Sequence, residues 1–270
     1  MEKWRDKYKE LLFDKDVTYK ETRDFAKNYL PQSLFRYRKF DEHWKSNVFN
    51  GELYFPPSTM LNDPFDCLTY VDEKYCNHVL ELAINSMQDK FKTEDIVDYF
   101  VKNGSDKIKS DIESIREKIG VACFSDNYDS LLMWAHYTNS HQGICIEYNT
   151  HKIPQNYMLL PVAYQKDRYN ATDDIISRNM NNILNPYFVK SIDWEYENEW
   201  RLVLTDDILS RVERKLDFRD IIVGIYLGLE IENKHSEEMQ EIISWAKNNG
   251  IKVYKMKVHP RKYEMYPEEI

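Results

Sequence analysis

Glu195, Glu197 and Glu199 alternate with Tyr196 and Asn198 in the run Trp194-Glu195-Tyr196-Glu197-Asn198-Glu199-Trp200-Arg201, which passes into Leu202-Val203-Leu204. Side chains two apart share one strand face, so a continuous strand turns all three carboxylates one way and Tyr196 and Trp200 the other. Like charges in a row repel each other unless they meet water, a cation or a substrate. Carboxylates so placed can stabilise developing positive charge or take up a proton. The same pattern also suits a solvated edge strand, whose charges discourage unwanted pairing.

Groups that could join this row lie far off in sequence. Cys123-Phe124-Ser125 ends an apolar run at a hydroxyl, and Ser125 equally suits the start of a turn with Asp126-Asn127. Arg36 and Arg38 flank Tyr37 and share a strand face. Paired guanidinium groups suit phosphate or carboxylate recognition, or a salt bridge to the acidic row. His136 and His141 lack HExxH spacing, so His136 reads as an orienting histidine packed beside Trp134 and Tyr137. Asn62-Asp63-Pro64-Phe65-Asp66 lacks the EF-hand register, and its carboxylates suit helix capping. GxGxxG, Walker and GxSxG sequences are absent.

The elements that must position these groups follow from periodicity. Residues 2–30 read as two helices broken near Asp14-Lys15-Asp16. Strands are expected at 33–40, 52–55, 120–125, 142–148, 157–165, 198–204, 221–228 and 251–258. Helices are expected at 41–49, 131–137, 172–187 and 234–249, and residues 71–118 read as a lysine-rich helical insertion. This irregular order implies an α+β fold, one mixed domain over 1–270 with a central, mainly antiparallel sheet. Residues 1–32 form its N-terminal helical extension.

Composition narrows the function classes. The chain has 270 residues, 42% of them apolar and 14% aromatic, with only 7 Gly, which favours a packed interior over disorder. A net charge of −9 disfavours non-specific binding to nucleic-acid backbone or anionic membrane. Cys67, Cys76, Cys123 and Cys145 show no zinc spacing, and neither a signal peptide nor a membrane span is expected. A cytoplasmic protein with reduced thiols, and no metal, is the expectation.

The ordered set Leu34-Phe35-Arg36-Tyr37-Arg38, Leu53-Tyr54-Phe55, Asn62 to Asp66, Cys123-Phe124-Ser125, Leu132 to Tyr137, His141 to Cys145, Lys190 and Trp194 to Arg201 resembles a bacterial family known as domain of unknown function 2971. The resemblance spans roughly residues 33–230 and implies no activity. The order Arg36, Ser125, Glu197-Asn198-Glu199 also resembles ADP-ribosyltransferases of the arginine–serine–glutamate type, although Cys-Phe-Ser stands where that class has Ser-Thr-Ser. That resemblance implies an NAD-consuming transferase or glycohydrolase, such as a toxin or phage-defence effector. Glu199 would then be the essential carboxylate, Glu197 would position the acceptor, and Ser125 would orient the glutamate. Arg36 would hold the pyrophosphate, and Tyr37 or Trp134 would stack on nicotinamide. Arg38, Asn62, Asp63, His136 and Tyr137 complete the cofactor-binding set, with a small nucleotide as ligand and the acceptor macromolecule open. Two alternatives remain: a nucleotide-binding or sensor module without chemistry, and a metal-dependent nuclease or hydrolase using His136 and His141.

Overall fold

Apolar residues at every second position build the sheet. The computed structural model describes residues 3–14, 16–72, 74, 110–154, 157–177, 182 and 184–270. Eight strands make one sheet: β1 (Ser33–Arg38), β2 (Gly120–Ser125), β3 (Ile144–Asn149), β4 (Met158–Pro161), β5 (Glu199–Leu204), β6 (Ile222–Leu227), β7 (Lys252–Val258) and β8 (Met265–Glu269). Their spatial order is β8-β7-β6-β3-β1-β2-β5-β4. All neighbours are antiparallel except β6 and β7, and the helix Ser236–Asn249 lies between those two in the chain. A parallel pair needs such a crossover. The fold is α+β, as the sequence pattern implied.

Alternation sorts the two faces. Leu34, Phe124, Ile144, Ile146, Trp200, Leu202 and Leu204 turn to one face, where Trp44 and Val48 of the helix Trp44–Phe49 and Ile242 and Ala246 of Ser236–Asn249 cover them. The opposite face carries two separate apolar clusters. One gathers Val121, Leu160 and Val203 under Tyr8 and Leu12 of α1 (Lys3–Phe13) and Ala26 of α2 (Tyr19–Lys27). The other gathers Phe35, Tyr37, Cys145 and Tyr226 under Met133 and Trp134 of α3 (Leu131–Tyr137). Between the two clusters sits a group of buried charges.

Local signals fix the helix starts. Thr18 and Glu21 form a capping box at α2, and the Ser130 side chain caps α3. Several expected elements differ; the strand expected at 157–165, for one, is Met158–Pro161 in the main sheet followed by Ala163–Gln165 in a separate pair. The acidic strand does not run from Trp194: Ile192–Glu197 is a 3₁₀ turn capped by Ser191, and Asn198 is left-handed at φ +45° before β5 starts at Glu199. Asn tolerates that conformation, so the period-2 pattern there is not a strand signature. The expected helix 172–187 holds a helix at Thr172–Ser177 and a separate 3₁₀ turn at Asn185–Phe188. Much of the expected insertion, 71–118, lies outside the described residues; within it, residues 110–118 are helical. Among the described residues no helix is long and apolar enough to cross a membrane.

Candidate functional site

β5 carries Glu199, Arg201 and Val203 on one face, so two charged residues point into an interior where apolar neighbours are the rule. Arg201 is fully buried and uses its whole donor set. Nε donates to Glu199 Oε1 at 2.8 Å, and Nη2 donates to Glu199 Oε2 at 3.1 Å and Asp66 Oδ2 at 2.6 Å. Nη1 donates to the Tyr187 carbonyl at 2.9 Å and to Cys67 Sγ at 3.4 Å. A buried charge needs this completeness, because desolvation otherwise exceeds the Coulomb gain.

Lys190 supplies the second cation. It lies on the short strand Val189–Ser191, which pairs with Ala163–Gln165. Its ammonium contacts Glu197, stands 3.0 Å from Glu199 Oε2 and 3.7 Å from Asp66, and lies 5.0 Å from the Trp194 ring centre. The turn ending at Glu197 and the left-handed Asn198 bring both glutamates to this one ammonium. Tyr164 Oη accepts from the Glu199 backbone N–H at 2.8 Å, fixing the first residue of β5.

The two glutamates differ in environment. Burial would raise the Glu199 carboxyl, but Arg201 and Lys190 outweigh it and hold it well below the usual range. Burial and the charge of Glu199 push the Glu197 carboxyl up, against Lys190 and a hydrogen bond from Tyr137. Tyr137 Oη donates to Glu197 Oε1 at 2.5 Å and accepts from Asn62 Nδ2 at 3.0 Å. Burial would lower Lys190, yet the three neighbouring carboxylates raise it, so it stays an ammonium and not a nucleophile. The Cys123 thiol is pushed well up by burial and by Glu199, so it stays protonated.

A cavity of about 200 Å³ opens beside this cluster. β1 and β2 pair at Phe35–Ser125, while β1 continues along β3 through Arg38 and β2 continues along β5 through Gly120. The gap is lined by groups from both sides of the sheet. Lys190, Glu197, Glu199 and Tyr137 form one wall; Arg36, Tyr37 and Arg38 form another; Ser125 and Asn62 also line it.

The expected residues fall as follows. Arg36 alternates with Phe35 and so springs from the face opposite Glu199, yet it reaches the same cavity through the gap. Its guanidinium has no ion-pair partner among the described residues, and burial with neighbouring Arg38 presses it down to about 10, still a cation at neutral pH. Arg38 pairs with Asp41 at 3.5 Å, so neither arginine bridges to the acidic row. Ser125 Oγ donates to the Glu197 carbonyl at 2.7 Å and accepts from Asn127 N–H at 3.1 Å. It holds the peptide of Glu197 and does not contact the Glu199 carboxylate. Tyr37 donates to the Asn127 carbonyl at 2.7 Å and meets Trp134 edge-on.

Trp134 is fully buried, donates to the Tyr128 carbonyl at 2.8 Å and does not line the cavity, so it offers no stacking face to a ligand. His136 is exposed and lies by the Tyr196 ring, away from Trp134 and from the cavity. Asp63 accepts from Phe65 N–H at 2.9 Å in a local turn, outside the cavity. Asp66 is no helix cap; it is a partner of Arg201. Among the described residues no group of three His, Cys, Asp or Glu could hold a metal ion.

Lys190, Arg201, Asp66 and Tyr164 were not singled out as site residues by sequence. One signal was available for two of them: Lys190 follows Phe188-Val189, and Arg201 interrupts Trp200 to Leu204, so each is a charge inside an apolar run. No curated protein and no solved structure matches the chain. Residues 133–202, which include most of α3, all of β3, Lys190, both glutamates and Arg201, match the model of a family described as a protein of unknown function, DUF2971.

Proposed function

We propose that the cavity cleaves the bond between nicotinamide and ribose in NAD and passes the ADP-ribosyl group to an acceptor or to water, with Glu197 as the reactive carboxylate. The observation that carries this is convergence: Arg36, Ser125, Glu197 and Glu199, remote in sequence, line one cavity. The volume of about 200 Å³ falls below the roughly 300–1,000 Å³ of pockets that enclose a whole drug-sized ligand. It suits the reacting end of the dinucleotide, with the remainder outside.

The roles follow from the contacts. Both Glu199 oxygens are taken by Arg201 and Lys190, so Glu199 anchors the cluster. Glu197 is held on Lys190 and Tyr137 at the cavity wall, and its affinity for protons, raised by burial and by Glu199, suits a general base. The C1–N bond breaks with its electron pair leaving on nicotinamide, and Glu197 offsets the positive charge on the sugar. The acceptor oxygen bonds to C1, and its proton passes to Glu197. Arg36, whose guanidinium has no ion-pair partner among the described residues, binds a phosphate.

The test is incubation with NAD, measuring free nicotinamide with and without protein or nucleic-acid acceptors. Release that is lost in Glu197→Gln and Arg36→Gln supports the proposal. No release at stoichiometric protein with any acceptor refutes it. The closed pairing of Glu199 also suits a nucleotide-binding module without chemistry; ADP-ribose or NAD binding in calorimetry without turnover selects that alternative.

A further inference from the structure

We propose that a second cavity, of about 250 Å³, binds a mononucleotide, with its base against Phe65 and Trp194 and its phosphate on Lys166 and Arg168. It neighbours the first cavity but is separate from it. Lys190 lines both, whereas Asn62 and Asp66 line the first and Asp63 and Phe65 the second, so one loop serves the two in turn. Two short parallel strand pairs hold the walls of the second cavity together. Thr69–Tyr70 pairs with Tyr169–Asn170, which brings the stretch from Phe65 to Leu68 toward Arg168. Ala163–Gln165 pairs with Val189–Ser191, which brings Gln165 beside Ser191 and the turn that carries Trp194.

The lining selects the ligand. Phe65 is 68% exposed. A lone exposed ring is ordinary, but this one lines a cavity together with the half-buried Trp194. Aromatic faces at such a place stack any base, because every base has a π-face. Charge then selects an anion over a cation. The Lys190 ammonium already lies 5.0 Å from the Trp194 ring centre, so a cationic ligand on that ring would be repelled. Of the three lining carboxylates, Asp63 accepts from Phe65 N–H at 2.9 Å and Asp193 accepts from Ser191 Oγ at 3.0 Å. Lys166 and Arg168 have no ion-pair partner among the described residues and stand exposed at the rim, where Asp167 is the remaining carboxylate. The Gln165 amide adds a donor and an acceptor, as a base edge requires. The volume falls below the roughly 300–1,000 Å³ of pockets that enclose a drug-sized ligand, so base and sugar fill it and the phosphate stays at the rim.

The experiment is calorimetry of the full chain with AMP, GMP, CMP and UMP in turn, and with the matching nucleosides and inorganic phosphate as partial probes. The expected result is binding of at least one mononucleotide, tighter than its nucleoside and tighter than phosphate. Phe65→Ala weakens that binding about tenfold, the worth of one stacked base, and leaves the melting temperature near that of wild type because the ring is exposed. Arg168→Gln weakens it about two- to fivefold, as for an exposed ion pair, and lowers its sensitivity to salt. Arg36→Gln, in the first cavity, keeps this binding. The proposal is overturned if no mononucleotide binds at millimolar concentration, or if Phe65→Ala binds as wild type does. It is also overturned if Arg36→Gln abolishes the binding, because the nucleotide then occupies the first cavity.

Discussion

Glu199→Gln and Glu197→Gln separate an anchoring carboxylate from a reactive one. In wild type, Glu199 receives two N–H groups of Arg201 at 2.8 and 3.1 Å and Lys190 at 3.0 Å, all buried. The amide keeps one acceptor oxygen and turns an N–H₂ toward a cation. Removing one partner of such a pair leaves an uncompensated buried charge, which costs about 3–5 kcal/mol. At about 2 °C per kcal/mol for a chain of this size, the melting temperature falls by about 6–10 °C. Glu197→Gln acts oppositely, because Glu197 is held above its usual protonation range and its ionised form is disfavoured in the fold. A neutral isostere removes that penalty, so stability at pH 7 is kept or raised while NAD turnover is lost.

The pH signs differ as well. A depressed carboxyl contributes stability above its usual value of 4.5, and that contribution drains away as pH falls below it. The gap between wild type and Glu199→Gln therefore narrows in acid. A raised carboxyl contributes fully below 4.5 and loses its contribution as pH rises through the shifted value, so Glu197→Gln gains on wild type toward neutral pH. Differential scanning fluorimetry from pH 3 to 8 measures both, with nicotinamide release on the same samples. Equal melting of wild type and Glu199→Gln at pH 7 refutes the anchoring role.

Three further outcomes follow from the geometry. Arg36→Gln weakens NAD binding in calorimetry by about tenfold, the worth of one charge-assisted bond, with unfolding nearly unchanged because its guanidinium has no ion-pair partner among the described residues. Tyr137→Phe removes the donor on Glu197 Oε1, so the acidic limb of the pH–rate profile moves to higher pH, while a purely structural tyrosine leaves that limb in place. Gly143→Ala would put a methyl 2.1 Å from the Arg38 carbonyl, and the forced shift costs about 1–3 kcal/mol in urea unfolding.

Much of the sheet was legible from period-2 patterns because β1, β2, β3 and β5 each bury alternate residues against a covered apolar face. The 3₁₀ turn at Ile192–Glu197 was not, since Glu197 and Glu199 meet one buried cation across a left-handed Asn198 and not along one strand face. Residue types along a chain do not reveal φ at one asparagine. β8 and the helix Asp206–Val212 were also missed; Met265–Glu269 mixes one buried residue with polar ones, as an edge strand does. Within the site, Glu197, Glu199, Arg36 and Ser125 were recognisable by type. The roles of Asp66 and Lys190 depend on contacts formed by folding, Asp66 with a residue 135 positions away. His136 and Trp134 looked chemical by type, but α3 turns one outward and the other into the core.

One guanidinium fastens the 3₁₀ turn at Tyr187, the loop end at Asp66 and the start of β5. The stretch with the family match, 133–202, includes Arg201 and both glutamates but neither Asp66 nor β2. Cut out as a fragment, it would hold a knot with a missing strand of rope: cations short of one counterion, beside a sheet that cannot part because its neighbour is gone. The site is thus assembled from segments remote in sequence, and the portion 133–202 by itself cannot inherit it.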